Sequence, residues 1–226
     1  MARQLVFDLP VRPALGRDDF FVSSSNAAAL TMLDSWTDWP GNKLLLVGPA
    51  GAGKTHLACV WASETGAKVI DAVSLTTVDV PGIAAAGFVV VEDVQAIARH
   101  PDAQTALFHL HNLTLSEGGR LLLTANAPPA QWGLSLPDLV SRMHGTTMVR
   151  INGPDDALLN AMLVKLFADR QLAVPPGLIS WLVPRMERSQ AGAARVVDEL
   201  DALALSEGRS ITRDLARTVL DKLGQG

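Results

Sequence analysis

Four groups of residues in this chain have the types and order that phosphate chemistry needs. Gly48, Gly53, Lys54 and Thr55 fill the spacing G-x-x-x-x-G-K-[ST], and Ala50, Gly51 and Ala52 are small enough for backbone amides to approach an anion closely. Lys54 is expected to reach the outer phosphates, Thr55 to offer its hydroxyl to Mg²⁺, and His56 to support the turn. Glu92 and Asp93 follow the apolar run FVVV, where a strand end can hold a metal and activate a water. Acidic residues also end buried strands for no chemical reason. Asn126 follows LLLTA and either orients an attacking water or opens the turn into Ala127, Pro128 and Pro129. Arg142, in LPDLVSRMHG, is expected on an edge from which a guanidinium can reach a phosphate held by another molecule. Pairing with Asp138 is the plain alternative.

These groups need a scaffold that brings strand ends together. Strand patterns occur at KLLLV, AKVID, GFVVVED, GRLLLTAN and TTMVRI, with helical stretches such as HLACVWASE and DAQTALFHLHNLTLSEG between them. That alternation predicts an α/β domain with a parallel sheet flanked by helices. Upstream, SSSNAAALTMLDSW begins with capping residue types and continues as an amphipathic helix. After GPDD the strand patterns stop. Leu158, Leu159, Met162, Leu163, Leu166 and Phe167 mark one helical face, and LISWLVPRM, AARVVDELDALAL and ITRDLARTVLDKL read as three further helices. The expected division is a tail over 1–18, an α/β nucleotide-binding domain over 19–152 and a small helical lid over 153–226. The tail carries Pro10, Pro13 and Gly16 without a sustained period, and reads as extended until a partner orders it.

Composition excludes several classes. With 226 residues, 48% hydrophobic, the chain can bury a full core. No apolar run reaches the roughly 18 residues of a membrane span, and the N-terminus lacks a signal-peptide core, so no membrane partner and a cytoplasmic location are expected. A single cysteine, Cys59, rules out an internal disulfide framework and reads as packing. The net charge of −4 does not suit a protein that holds nucleic acid through phosphate neutralisation. His109 and His111 are two apart in a helical pattern, a poor metal pair with surface or supporting roles expected. The five tryptophans lack basic interleaving and read as packing.

Taken in order, DDFFVSSSNAAAL, GPAGAGKTHL, VVVEDVQAI, LLLTANAPP and LPDLVSRM resemble the P-loop AAA+ core of the DnaA/Hda clade, over about residues 19–222. The stretch RLLLTANAPPAQWGLSLPDLVSRM is similar to the Hda branch, and the chain stops where DnaA continues into a DNA-binding domain. The resemblance implies a regulator that binds ADP or ATP with Mg²⁺, docks on the DNA polymerase sliding clamp, and promotes hydrolysis of ATP bound to DnaA. DNA is then met only through the clamp, and a homodimer is possible. By position, Arg142 matches the arginine finger acting in trans, Asn126 the sensor residue, Glu92 and Asp93 the acidic strand end, and Thr55 with Glu92 the metal site. In the tail, Gln4, Leu5, Phe7 and Leu9 resemble a clamp-binding peptide.

Departures matter too. A glutamate stands at Glu92 where the family has its metal-binding aspartate, so intrinsic hydrolysis is expected to be weak. The lid's second sensor arginine would fall near Ala191 or Gly192, with only Arg188 and Arg195 close by. The link between AKVID and GFVVVED is too short for the helices with which DnaA engages a single DNA strand. Two other classes remain open: a free-standing AAA+ ATPase such as a helicase loader, and a DnaA paralogue tethered to DNA.

Overall fold

Apolar runs bounded by glycine turns build one sheet. A computed structural model of the chain describes residues 22–224; the tail with Gln4, Leu5, Phe7 and Leu9 lies outside them. The strands are β1 (Lys43–Val47), β2 (Lys68–Asp71), β3 (Phe88–Glu92), β4 (Arg120–Ala125) and β5 (Thr147–Arg150). All neighbours pair in parallel, in the order β2-β3-β4-β1-β5. The expected α/β fold class is therefore observed. Because β4 lies between β1 and β3, whatever follows β4 stands between the phosphate loop and the acidic strand end.

Helix α1 (Ala27–Asp34) precedes β1, and α2 (Lys54–Thr65), α3 (Val80–Ala84), α4 (Pro101–Ser116) and α5 (Pro137–His144) connect the strands. Side chains alternate across a strand, so one sequence run serves two layers. Leu45, Val47, Val89, Val91, Leu121 and Leu123 pack with Leu107 and Leu110 of α4 and Leu139 and Met143 of α5. Leu44, Leu46, Val90 and Leu122 face the other way, onto Ala29 and Leu33 of α1 and Leu57 and Trp61 of α2. Trp39 stacks on Trp61 with centroids 5.2 Å apart and donates its indole hydrogen to the Met32 carbonyl at 2.7 Å. Two expectations are refined. Asn26 makes no side-chain cap on α1; its Oδ1 accepts from the Ser23 amide and orders the preceding turn. The link from β2 to β3 contains a 3₁₀ stretch at Ala72–Thr76 and the short α3.

The rest of the described chain is helical: α6 (Asp156–Asp169), α7 (Leu178–Leu182), α8 (Gln190–Glu207) and α9 (Arg213–Lys222). These helices share a separate core that includes Leu159, Leu163, Phe167, Leu182, Val196, Leu200 and Leu215. Three of the four starts are fixed by side-chain caps: Asp155, Ser189 and Thr212 accept from the amides of Leu158, Gly192 and Leu215, while α7 follows Gly177 without one. The helical part touches the phosphate loop directly, since a Cβ on Gly51 would lie 2.3 Å from the Cβ of Ser189. No helix among the described residues is long and apolar enough to cross a membrane.

Candidate functional site

The buried strand β1 delivers the chain into the loop Gly48–Thr55, and α2 starts at Lys54. Gly48 is required by a close approach: a Cβ there would lie 2.3 Å from the carbonyl oxygen of Ile151, whose own amide donates to Val47 O at 2.8 Å. Gly51 and Gly53 have φ of +73° and +96°, a left-handed backbone that turns amides toward a common point. Ala50 and Ala52 complete the turn without bulk. Lys54 is buried, and its Nζ donates to Gly48 O at 2.8 Å, Pro49 O at 2.9 Å and Asn126 Oδ1 at 2.8 Å. An incoming phosphate oxygen would compete for these protons. Burial lowers the Lys54 pKa, opposed by Asp93 and Glu92. His56, in the first turn of α2, is buried, and that burial lowers its pKa, which suits a supporting side chain.

At the end of β3, burial pushes the Glu92 carboxyl above the usual carboxylate range, while a hydrogen bond with Thr55 opposes that shift. Its Oε1 is buried with no hydrogen-bond partner. An orphaned carboxylate oxygen beside a threonine hydroxyl is a pair of hard oxygen donors, and it fits Mg²⁺ better than it fits a structural role. Thr55 and Glu92 would hold the ion, which would neutralise phosphate charge. Asp93 adopts a left-handed conformation, φ +52°, and its amide donates to Thr124 Oγ1 of β4 at 3.0 Å.

One residue here was not singled out from the sequence. Gln95 Nε2 donates to Asp93 Oδ1 at 3.2 Å, and Gln95 Oε1 accepts from the Asn126 amide at 3.1 Å. Gln95 thus ties the acidic strand end to the Asn126 turn. Lys54, Thr55, Glu92, Asp93 and Asn126 are brought to one end of the sheet. Beside them lies a cleft of roughly 260 Å³ lined by Pro49, Asn126, Gln131, Arg150 and Asn152 among others.

Arg142 stands elsewhere. It is exposed on α5, and no carboxylate among the described residues pairs with it, Asp138 included. Its carbonyl accepts from Lys43 Nζ at 3.0 Å, which puts it beside the first residue of β1. A strand rises about 3.3 Å per residue, so roughly 13 Å of β1 separates Lys43 from the entrance to the phosphate loop. The two histidines take the two expected roles: His109 is exposed, whereas His111 is buried against Lys43, Nε2 to Nζ 3.2 Å, in a supporting position.

In the lid, Ala191 and Gly192 open α8. A Cβ on Gly192 would already lie 2.6 Å from the Glu187 carbonyl oxygen, so this turn has little room for a larger side chain. The nearby arginines are engaged: Arg188 pairs with Asp156 at 2.6 Å and donates to Pro154 O, and Arg195 pairs with Glu187.

No protein-family model matches the sequence. Solved structures do match. Domain III of the Thermotoga maritima replication initiation protein DnaA superposes with TM-score 0.77 and 18% identity, over 95% of this chain and 98% of that one. The replication initiator DnaA bound to AMPPCP and single-stranded DNA gives TM-score 0.70 and 20% identity, over 87% and 69%. The fold is that of a DnaA-like AAA+ domain. It is shared more widely, since the FIGL-1 AAA domain in complex with ADP matches at TM-score 0.63 and 14% identity, over 85% and 76%. In the DnaA-like fold of this chain, the phosphate loop and Arg142 lie toward opposite ends of β1.

Proposed function

We propose that this chain is an AAA+ regulator of chromosome replication initiation that acts on a nucleotide held by another protein. It binds ADP or ATP with Mg²⁺ through Gly48–Thr55 and Glu92, docks on the polymerase sliding clamp through Gln4, Leu5, Phe7 and Leu9, and presents Arg142 to ATP bound by DnaA. One observation carries this reading: Arg142 is exposed, has no carboxylate partner among the described residues, and packs against the side chain of Lys43, which itself stands about 13 Å of strand from the phosphate loop. A guanidinium in that position has no phosphate of its own chain to serve. Adenine nucleotide as ligand is supported by the neighbours solved with AMPPCP and with ADP. Indirect rather than direct contact with DNA is supported by the net charge of −4.

The test is the turnover of DnaA-bound ATP in the presence of clamp loaded on DNA. Wild-type chain is expected to stimulate it. Arg142→Ala should lose stimulation by on the order of 10³-fold, the scale of an arginine supplied in trans, and removal of residues 1–18 should lose it by detaching the chain from the clamp. Undiminished stimulation by both variants would overturn the proposal.

A second reading, a free-standing ATPase, draws on the Thr55–Glu92 contact at an otherwise complete strand end. Against it, Asp93 is held by Gln95, and Arg188 and Arg195 are paired with Asp156 and Glu187. Steady-state turnover by the purified chain separates the two. We expect well under about 1 s⁻¹, and a rate at or above that value, ordinary for an enzyme, would favour the motor.

A further inference from the structure

Lys43 is a cation where an apolar residue would be cheaper. It is the first residue of β1, buried, with no carboxylate in ion-pair range among the described residues. Removing an ammonium from water without an anion to meet it is costly. What meets it instead is dipolar: the Arg142 carbonyl at 3.0 Å, in the last turn of α5, and His111 Nε2 at 3.2 Å, from α4. The negative end of a helix dipole favours a cation there. An ammonium has no lone pair, so Nε2 of His111 must be the acceptor and its proton must sit on Nδ1, which faces Asn112 Oδ1 at 3.2 Å. The histidine is neutral, its pKa pushed down to about 4 mainly by burial.

The Arg142 carbonyl also accepts from Thr146 Oγ1 at 2.9 Å, so its acceptor capacity is filled. The other end of α5 is held too. Gln104 of α4, fully buried, accepts from the amides of Ser135 and Leu136 at 2.9 and 3.0 Å just before the helix begins. An eight-residue helix has little stiffness of its own, yet this one is fastened at its start by α4 and at its end by β1 and α4 together. The fastening at the end falls on the arginine itself. Burial, and after it the like charge of Arg142, lowers the Lys43 pKa, and among the described residues no carboxylate pairs with either cation.

We propose that Lys43, oriented by His111, is the positioning residue for Arg142: it fixes the last turn of α5 and adds a second, buried positive charge behind the guanidinium offered to a partner's phosphate. This rests on the trans reading of Arg142. Lys43 does not touch the phosphate. It holds the backbone from which the guanidinium extends, and its charge adds to the stabilisation of the charge that develops on the partner's phosphate during transfer, which acts on the maximal rate rather than on binding.

The experiment uses the full chain with clamp on DNA and ATP-bound DnaA, and reads the maximal stimulated rate, the concentration of this chain giving half of it, and the unfolding temperature. Lys43→Met keeps the stem and removes the charge. It is expected to lower the maximal rate at least tenfold while the half-saturating concentration changes less than twofold and the unfolding temperature does not fall. His111→Gln, which can still accept from Lys43 through its amide oxygen, should keep most of the rate; His111→Leu should not. A wild-type maximal rate for Lys43→Met, alongside a dead Arg142→Ala, overturns this inference and leaves the finger reading standing. Loss of rate that follows a fall in unfolding temperature equally in His111→Gln and His111→Leu also overturns it, because the network would then be merely structural. Wild-type rates in Arg142→Ala itself would remove the reading on which it rests.

Discussion

His111 shows how much of a residue's behaviour is decided by what lies across the fold rather than beside it in the chain. Its sequence leaves a surface and a supporting role open; the fold buries it, and burial first, then Lys43 from β1 and Arg142 from α5, disfavour a positive charge on it against the opposing hydrogen bond with Asn112. Its folded pKa is about 4 against 6.5 for the free side chain. The folded state therefore binds the proton less readily than the unfolded chain. The stability this contributes is present above pH 6.5 and is lost as pH falls from there toward 4. By the ~1.4 kcal/mol that accompanies each pH unit of displacement, the loss is on the order of 3 kcal/mol. Urea unfolding of wild type and His111→Gln at pH 7 and pH 4.5 checks this. The difference between the two proteins should shrink or reverse at the lower pH, and parallel losses would assign the acid sensitivity to other groups.

At the scale of elements, the phosphate loop meets the start of α8 in a close contact between the two cores. Gly51 is strained for any other residue, with φ +73°, and a Cβ would overlap that of Ser189. Gly51→Ala is expected to cost about 1–2 kcal/mol from the backbone alone, with the overlap added. Ser189→Gly should cost only a few tenths of a kcal/mol as a cap replacement, plus the loss of its bond to Glu187. The double variant should then be more stable than the sum of the singles predicts, by roughly 0.5–3 kcal/mol. Additive effects in urea titrations would mean that the lid does not rest on this glycine. The elements themselves were legible from the chain, because each strand is a short apolar run closed by Gly, Asn or Asp, and the lid helices carry their own caps. The motif residues at the end of the sheet were legible for the same reason: the loop and the strand ends carry their chemistry locally. Gln95, Lys43 and the reason for Gly48 were not. Gln95 reaches the Asn126 amide only because β4 is inserted beside β3, and Gly48 is required only because the exit of β5 passes against it. Strand order is a long-range property, and local spacing does not encode it.

For the whole molecule, the sheet carries its two groups of candidate site residues at different ends. The loop Gly48–Thr55 lies where β1 ends and Arg142 lies beside where β1 begins. A contact that joins the arginine end of one protein to the nucleotide end of another is head-to-tail, and it leaves both proteins with an unused surface of the opposite kind. The two ends should therefore separate cleanly in a binding experiment on the isolated chain. A ligand that binds only the folded protein stabilises it by about 2.7 kcal/mol at a hundred times its Kd. For a chain of this size that amounts to roughly 5–10 °C in Tm, at about 2–4 °C per kcal/mol. ADP with Mg²⁺ is expected to give such a rise in wild type. Lys54→Ala should abolish it, since the ammonium that would meet the phosphates is gone. Arg142→Ala should keep it in full, because Arg142 stands beside Lys43 at the start of β1, away from the phosphate loop. If Arg142→Ala loses the ADP-dependent rise while Lys54→Ala keeps it, the finger serves the site of its own chain and the head-to-tail arrangement is wrong.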